Sequence, residues 1–196
     1  MQNTTREKIL KKAQTLFNEE GYQHITMRRI ANELNISVGN VTYHYKHKLD
    51  ILKELMQNIN LLEKNKHAES LSDLHIQIDK MIQSLIDSRF FFISDELANL
   101  NEEFARTNQA NVTRLHQNLS EILEELTHLG LFTSSFTKTA QQAWIEMIML
   151  AHLAWIRKLD LTQDLHLQTQ NFLDLHWTLL IPYLSEEGLK QMKELF

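Results

Sequence analysis

The sequence has no cysteine, one proline and four glycines among 196 residues. Without cysteine the chain has no disulfides, no thiolate chemistry and no cysteine-ligated zinc, which fits a reducing compartment. So few turn-forming residues favour long helices with short connections and leave little room for an all-β fold. We therefore expect an all-α protein.

Long apolar runs are also missing. The first twelve residues lack the apolar core of a signal peptide. The most apolar stretch, residues 143–156, is interrupted by Glu146 and His152 and is too short to span a bilayer. We expect a cytoplasmic protein that does not contact a membrane.

Charge is divided unevenly along the chain. The formal net charge is −5. Residues 1–50 contain eight Lys/Arg and five Asp/Glu, a net charge of +3, so residues 51–196 carry −8. A mildly basic N-terminal segment on an acidic body is compatible with a nucleic-acid-binding head.

Residues 26–48 predict two short helices joined by a tight turn. Thr26 and Ser37 are good N-caps, and Asn35 between them can adopt the left-handed backbone that ends a helix. Three apolar residues at helical spacing give the first helix an inward face: Ile30, Ala31 and Leu34. This arrangement is that of a helix-turn-helix.

The second helix of this motif has an outward side that is unsuited to a core. Val41 and Tyr45, one turn apart, would face inward. At about 100° per residue, the other sides carry small or hydrogen-bonding residues: Gly39, Asn40, Thr42, Tyr43 and His44. Such a surface suits contact with a nucleic-acid groove.

Over roughly residues 4–52 the sequence resembles the TetR family of bacterial transcriptional regulators. The shared features are a threonine, an Ile-Ala pair, a serine opening the recognition helix, an aromatic-rich end and a lysine opening the next helix. Here they are Thr26, Ile30-Ala31, Ser37, Tyr43-His44-Tyr45 and Lys48. Two positions depart from the family pattern, because Asn35 replaces the usual glycine and Thr42 replaces a frequent tyrosine.

The resemblance implies a helix-turn-helix DNA-binding domain over residues 1–47 and a helical effector-binding and dimerisation domain over residues 48–196. It also implies a sequence-specific transcriptional regulator, a repressor released by a small effector, which binds a palindromic double-stranded operator as a homodimer. Neither enzymatic activity nor a cofactor is expected.

Both helices of the motif and the segment after them supply the predicted DNA contacts. Arg28, Lys46 and Lys48 are cations for phosphates or base edges. Gly39 permits close approach of the backbone. The hydrogen-bonding candidates are Thr26, Ser37, Asn40, Thr42, Tyr43 and His44.

The body is predicted to be helical throughout. A helix opening at Lys48 is expected to run through Leu62 and so connect the two domains. Further helices are predicted near residues 73–92, 94–100, 102–129, 135–159, 163–181 and 185–195. The 135–159 helix is apolar on nearly every side, which favours burial between two chains together with the 163–181 helix. The alternative is that both helices form the core of a monomer.

Aromatic and methionine residues of the body suggest a pocket for a small apolar effector, with His152 or Arg89 as the polar anchor. The candidates are Arg89, Phe92, Trp144, Met147, His152 and Trp155. For each of them the alternative is an ordinary core position.

The ten histidines raise a rival function, a helical-bundle enzyme that binds a metal or heme. Only half of a paired Glu-x-x-His motif occurs, at Glu125 and His128, so no metal site is expected. Asp-Leu-His triplets at 73–75, 164–166 and 174–176 are interpreted as solvated surface, because i and i+2 point to different sides of a helix. A third alternative is a regulator-like protein that binds protein partners and not DNA.

Overall fold

The computed structural model describes residues 4–59, 67–94, 97, 102–160 and 162–195. Within these ranges there is no β-strand, only an isolated bridge between Phe132 and Leu184, so the all-α prediction is confirmed. The helices are α1 (Thr5–Glu20), α2 (Met27–Glu33), α3 (Val38–His44), α4 (Lys48–Gln57), α5 (Leu71–Asp87), α6 (Arg89–Ile93), α7 (Glu102–His128), α8 (Lys138–Lys158), α9 (Leu165–Leu180) and α10 (Glu186–Leu195). None of the helices in these ranges is long and apolar enough to cross a membrane.

The chain divides into two compact units. We call Met1–Asn60 with Ser84–Asn108 the N-terminal unit, and Leu61–Gln83 with Gln109–Phe196 the C-terminal unit. Helices α5 and α7 each contribute residues to both units. The predicted functional division at residue 47 stays a prediction, and the N-terminal unit continues past it.

Helix α1 begins at a capping box and ends at a glycine. The Thr4 hydroxyl accepts a hydrogen bond from the Glu7 N–H, and the Glu7 carboxylate accepts one from the Thr4 N–H. Gly21 ends the helix with a φ of 83°, a conformation that favours glycine. Its buried stripe contacts the N-terminal core through Phe17, whose ring meets Tyr22 and Phe90 edge to face.

Helix α4 ends earlier than predicted. It stops at Gln57, and the Asn58 N–H donates to the carbonyl groups of Glu54 and Leu55 in a tightened last turn. Asparagine favours such ends because its side chain competes for backbone hydrogen bonds. Leu62 lies outside the described residues. The prediction of one helix running on past Ile59 is therefore wrong.

The predicted helix at 73–92 is broken at Ser88 into α5 and α6. The backbone groups freed by the break are satisfied by side-chain amides of α1. Asn18 donates to the Asp87 carbonyl at 2.8 Å and accepts from the Phe90 N–H at 2.8 Å, and Gln14 donates to the Asp87 carbonyl at 3.0 Å. Most of the helix predicted at 94–100 lies outside the described residues.

The C-terminal unit closes on a turn that contains the single proline. Helix α9 ends at Leu180, and Pro182 sits in the 3₁₀ turn Ile181–Tyr183 that follows, so proline ends the helix rather than interrupting it. In α10, Gly188 packs so closely that a Cβ would lie 2.2 Å from the Leu131 carbonyl oxygen. Only glycine fits there.

Candidate nucleic-acid interface

The predicted helix-turn-helix is present as α2 and α3. The Thr26 hydroxyl accepts from the Arg29 N–H at 3.1 Å, and the Ser37 hydroxyl accepts from the Asn40 N–H at 3.1 Å, so both are N-caps. Asn35 has a φ of 54°. Local chemistry therefore places both helix starts and the turn between them as the sequence predicts.

The inward side of the motif is buried as expected. Ile30, Ala31 and Val41 are fully buried, and Tyr45 is 3% exposed. The Ile36 N–H donates to the Ala31 carbonyl at 3.0 Å across the turn. This core fixes the direction in which the opposite side of α3 points.

The outward side of α3 is exposed, as the helical wheel predicts. Gly39, Asn40, Thr42 and Tyr43 are all exposed, and 84% of Tyr43 is accessible to solvent. The Thr42 hydroxyl donates to the Gly39 carbonyl at 3.1 Å. His44 is half-buried and meets the Tyr43 ring edge to face, with ring centres 5.2 Å apart.

Two adjacent arginines of α2 have different surroundings. Arg29 pairs with Glu33 at 2.8 Å and with Glu20 at 3.0 Å, so its charge is neutralised within the head. Arg28 is exposed on the neighbouring side, and Lys46 is exposed just after α3. Arg28 and Lys46 are thus both accessible to a partner outside the chain.

Lys48 is half-buried at the start of α4. Its ammonium donates to the Tyr22 carbonyl at 2.7 Å and lies 4.0 Å from the centre of the Tyr22 ring. Lys48 therefore helps to hold the start of α4 against the turn after α1. A substitution at this position would change the head as well as any contact with DNA.

One supporting network was not predicted. The Arg6 guanidinium pairs with Glu54 and lies 4.8 Å from the centre of the Tyr45 ring. The hydrogen bond from Arg6 lowers the pKa of Glu54, and burial raises the pKa of Tyr45 to about 12. The network ties α1 and α4 to the end of α3, and no periodicity could reveal a pair 48 residues apart.

The six predicted effector-binding residues are divided between the two units. Arg89 and Phe92 are half-buried members of the N-terminal unit, whereas the other four belong to the C-terminal unit. There, Trp144 is buried, Trp155 is half-buried, and Met147 is 54% exposed. The buried His152 follows Met147 by five positions, which places the two side chains about 140° apart around α8. The structure does not bring these two side chains together.

His152 lies beside a second buried histidine, His176 of α9. Their ring centres are 4.8 Å apart. Burial lowers the pKa of His152 to about 3 and that of His176 to about 4. The interpretation of the 174–176 triplet as solvated surface is wrong for His176, which is fully buried. The signal that could have found it is its place in the apolar stripe of α9, one turn after Phe172 and one turn before Leu180.

Among the described residues, no three His, Asp or Glu side chains are placed to share a metal ion. Glu125 of the Glu-x-x-His half-motif has another use, since it accepts from the Ala68 N–H at 2.9 Å and contacts His67 Nδ1 at 2.6 Å. The metal-enzyme alternative therefore has no ligand cluster in that part of the chain.

Residues 9–55 match the sequence profile of the family described as bacterial regulatory proteins, tetR family. The chain is 26% identical over 165 residues to the biofilm operon icaADBC HTH-type negative transcriptional regulator IcaR of Staphylococcus aureus, covering 81% of this chain and 86% of that protein. It is 28% identical over 173 residues to IcaR of Staphylococcus epidermidis, covering 81% and 85%.

The fold is similar to the crystal structure of a TetR-family transcriptional regulator from Marinobacter aquaeolei VT8. The TM-score is 0.80 with 25% sequence identity, and the match covers 98% of this chain and 97% of the other. The similarity thus extends over both units and not only over the head.

Proposed function

Because the chain belongs to the TetR family of DNA-binding transcriptional regulators, we propose that it is a repressor that binds a palindromic operator as a homodimer. The observation that carries this proposal is the exposed, hydrogen-bonding side of α3 above a fully buried inner side. Repression is favoured by the two staphylococcal relatives, which are named negative transcriptional regulators.

In this proposal α3 enters the major groove, and a two-fold dimer places its two copies on half-sites about one helical turn apart or a small multiple of it. Arg28 and Lys46 contact phosphates or base edges. Asn40 and Tyr43 contact bases, an asparagine being suited to adenine. Thr26 and Ser37 position the helices as caps, and Lys48 acts mainly through its contact with Tyr22.

Selection of duplexes from a random pool by the purified full-length chain tests this function. We expect enrichment of a palindromic sequence. We also expect the logarithm of the binding constant to fall linearly with the logarithm of the salt concentration, with a slope of about −0.9 for each phosphate that the protein neutralises. Failure to enrich any duplex, or an affinity independent of salt, would contradict the assignment to DNA binding.

The proposed homodimer is supported by exposed apolar side chains on α8 and α9, which together we call the outer face. Its large members are 42–65% exposed: Met147, Leu150, Leu153, Leu167 and Leu175. Contiguous exposed apolar surface is unusual on a monomer and marks an interaction site. A second copy of the chain would cover it by self-complementary packing, as in most symmetric dimers.

Leu150→Glu is expected to convert the protein to a monomer at micromolar concentration, because a carboxylate would be buried without a partner in the proposed interface. The matched control is Leu129→Glu, which alters an equally apolar residue, 54% exposed, just after α7. Sedimentation velocity checks both masses. A dimeric Leu150→Glu protein, or a monomeric Leu129→Glu protein, would contradict this location of the interface.

We further propose that the C-terminal unit binds a small effector and that binding weakens operator affinity. Helices α5 and α7, which have residues in both units, would carry the effect toward the head. A regulator of this kind acts on chromosomal DNA, so we place it in the cytoplasm and expect no enzymatic activity.

A further inference from the structure

We propose that His152 and His176 are the polar anchor of the effector site, and that the effector is an uncharged molecule with an aromatic body and a hydroxyl donor. The inference rests on the proposed effector control. It starts from a pair of neighbouring imidazole rings contributed by α8 and α9 inside the C-terminal unit.

The surroundings fix the protonation of both rings. His152 Nδ1 lies 2.7 Å from the Ile148 carbonyl oxygen, and His176 Nδ1 lies 2.8 Å from the Phe172 carbonyl oxygen. A carbonyl oxygen only accepts, so each Nδ1 carries the proton and each Nε2 carries a lone pair. Both rings are thereby oriented as hydrogen-bond acceptors.

Both of these acceptors lack a partner among the described residues. The Nε2 atoms of His152 and His176 are buried and make no hydrogen bond there. Other buried polar atoms of the same unit share this property: Gln77 Oε1, Asn118 Nδ2 and Trp144 Nε1. Buried polar atoms without partners are unfavourable and rare in native proteins, so two adjacent acceptors indicate a donor that is supplied from outside the chain.

A short row of aromatic rings leads to the pair. The Phe172 ring meets both imidazoles edge to face, with centres 4.9 Å from His152 and 4.8 Å from His176. Trp155 stacks on Phe172 at 4.5 Å with an angle of 3° between the planes. Trp155 is half-buried and His176 is fully buried. The row Trp155, Phe172 and His176 therefore runs from the protein surface to the buried histidine pair. An aromatic body suits packing against these rings.

Charge considerations favour an uncharged donor. Burial keeps the pKa of both histidines far below neutrality, so at pH 7 both are neutral acceptors. An ammonium group would lose its hydration here without a countercharge, since Glu146 and Asp174 on the same helices are exposed. A carboxylate would be repelled, because it would face the lone pairs of the two Nε2 atoms. A hydroxyl satisfies an acceptor without carrying a charge.

The test compares phenol with anisole, which has the same ring but no hydroxyl proton. Saturation-transfer NMR and thermal unfolding of the full-length protein at neutral pH, each with millimolar probe, report binding. We expect phenol to bind and to raise Tm, and anisole to give at least a tenfold weaker response. Equal responses to both probes, or no phenol binding, would overturn the proposal.

His152→Phe and His176→Phe test the anchor itself, because phenylalanine keeps a ring of similar size and removes the acceptor. Each is expected to abolish the phenol response. The control is His166→Phe, at an exposed position of α9, which should retain the full response. A phenol response that survives in His176→Phe overturns the assignment even if His152→Phe does not fold.

Binding of phenol and binding of duplex DNA are measured separately, so the anchor site and the regulator function can fail independently. Phenol binding is measured without DNA, so failure to bind any duplex would refute the regulator and leave the anchor result intact. Where a selected duplex is bound, saturating phenol should lower its affinity at least fivefold, within the range usual for coupled sites. Phenol that binds at the pair and leaves duplex affinity unchanged would overturn the effector role.

Discussion

Combined replacement of Arg28, Tyr43 and Lys46 by alanine is expected to lower operator affinity by about 1,000-fold or more. A base-edge contact contributes about 1–3 kcal/mol, and phosphate contacts add to it. All three side chains are exposed, so their removal leaves the core of the head intact. Fluorescence anisotropy with the selected duplex measures the affinity, and thermal unfolding shows whether the free protein is unchanged.

The adjacent arginine provides the control for this prediction. Arg29→Ala removes the same side chain, but one that is paired with Glu20 and Glu33 within the head. We expect Arg29→Ala to change operator affinity less than fivefold, whereas Arg28→Ala alone should lower it by about 5- to 150-fold. Equal losses in the two single variants would mean that α2 meets DNA in a different orientation.

Stability is expected to fall steeply as pH decreases from 7 to 5. Burial lowers the pKa of His152 to about 3 and that of His176 to about 4, whereas both lie near 6.5 in the unfolded chain. The unfolded state therefore binds more protons below pH 6.5, and each histidine lowers the free energy of unfolding by about 2 kcal/mol at pH 5. The loss begins near pH 6.5 and continues down to the folded pKa values.

Urea unfolding at pH 7, 6 and 5 measures this dependence. His152→Phe/His176→Phe should remove most of it. His67 acts weakly in the opposite direction, because the hydrogen bond to Glu125 raises its pKa and favours the folded state at low pH. A double variant with the same pH dependence as the unmodified protein would show that other groups are responsible.

Local chemistry accounts for the part of the fold that the sequence predicted well. The caps at Thr26 and Ser37 and the turn at Asn35 depend on residues within four positions of each other. The two sides of α3 follow from helical geometry alone. These features define the head and its exposed surface before any tertiary contact is known.

Features that depend on distant residues were missed. The break at Ser88 is stabilised by an amide of α1, about 70 residues earlier. The Asp-Leu-His pattern predicts a solvated His176, whereas the environment of His176 is set by α8 across the helix pair. Composition groups Met147 with His152, although their positions on α8 direct them to different sides. Composition and spacing within one segment contain no information about these partners.

The break between α5 and α6 also restricts which amino acid can occupy position 18. The Asn18 side chain donates to the Asp87 carbonyl and accepts from the Phe90 N–H, each at 2.8 Å. Asparagine supplies both from one short planar amide. Aspartate would lose the donor, leucine would lose both, and glutamine would carry the amide one methylene too far. The position at which α5 ends, about 70 residues later in the chain, thus restricts which amino acids α1 tolerates at position 18.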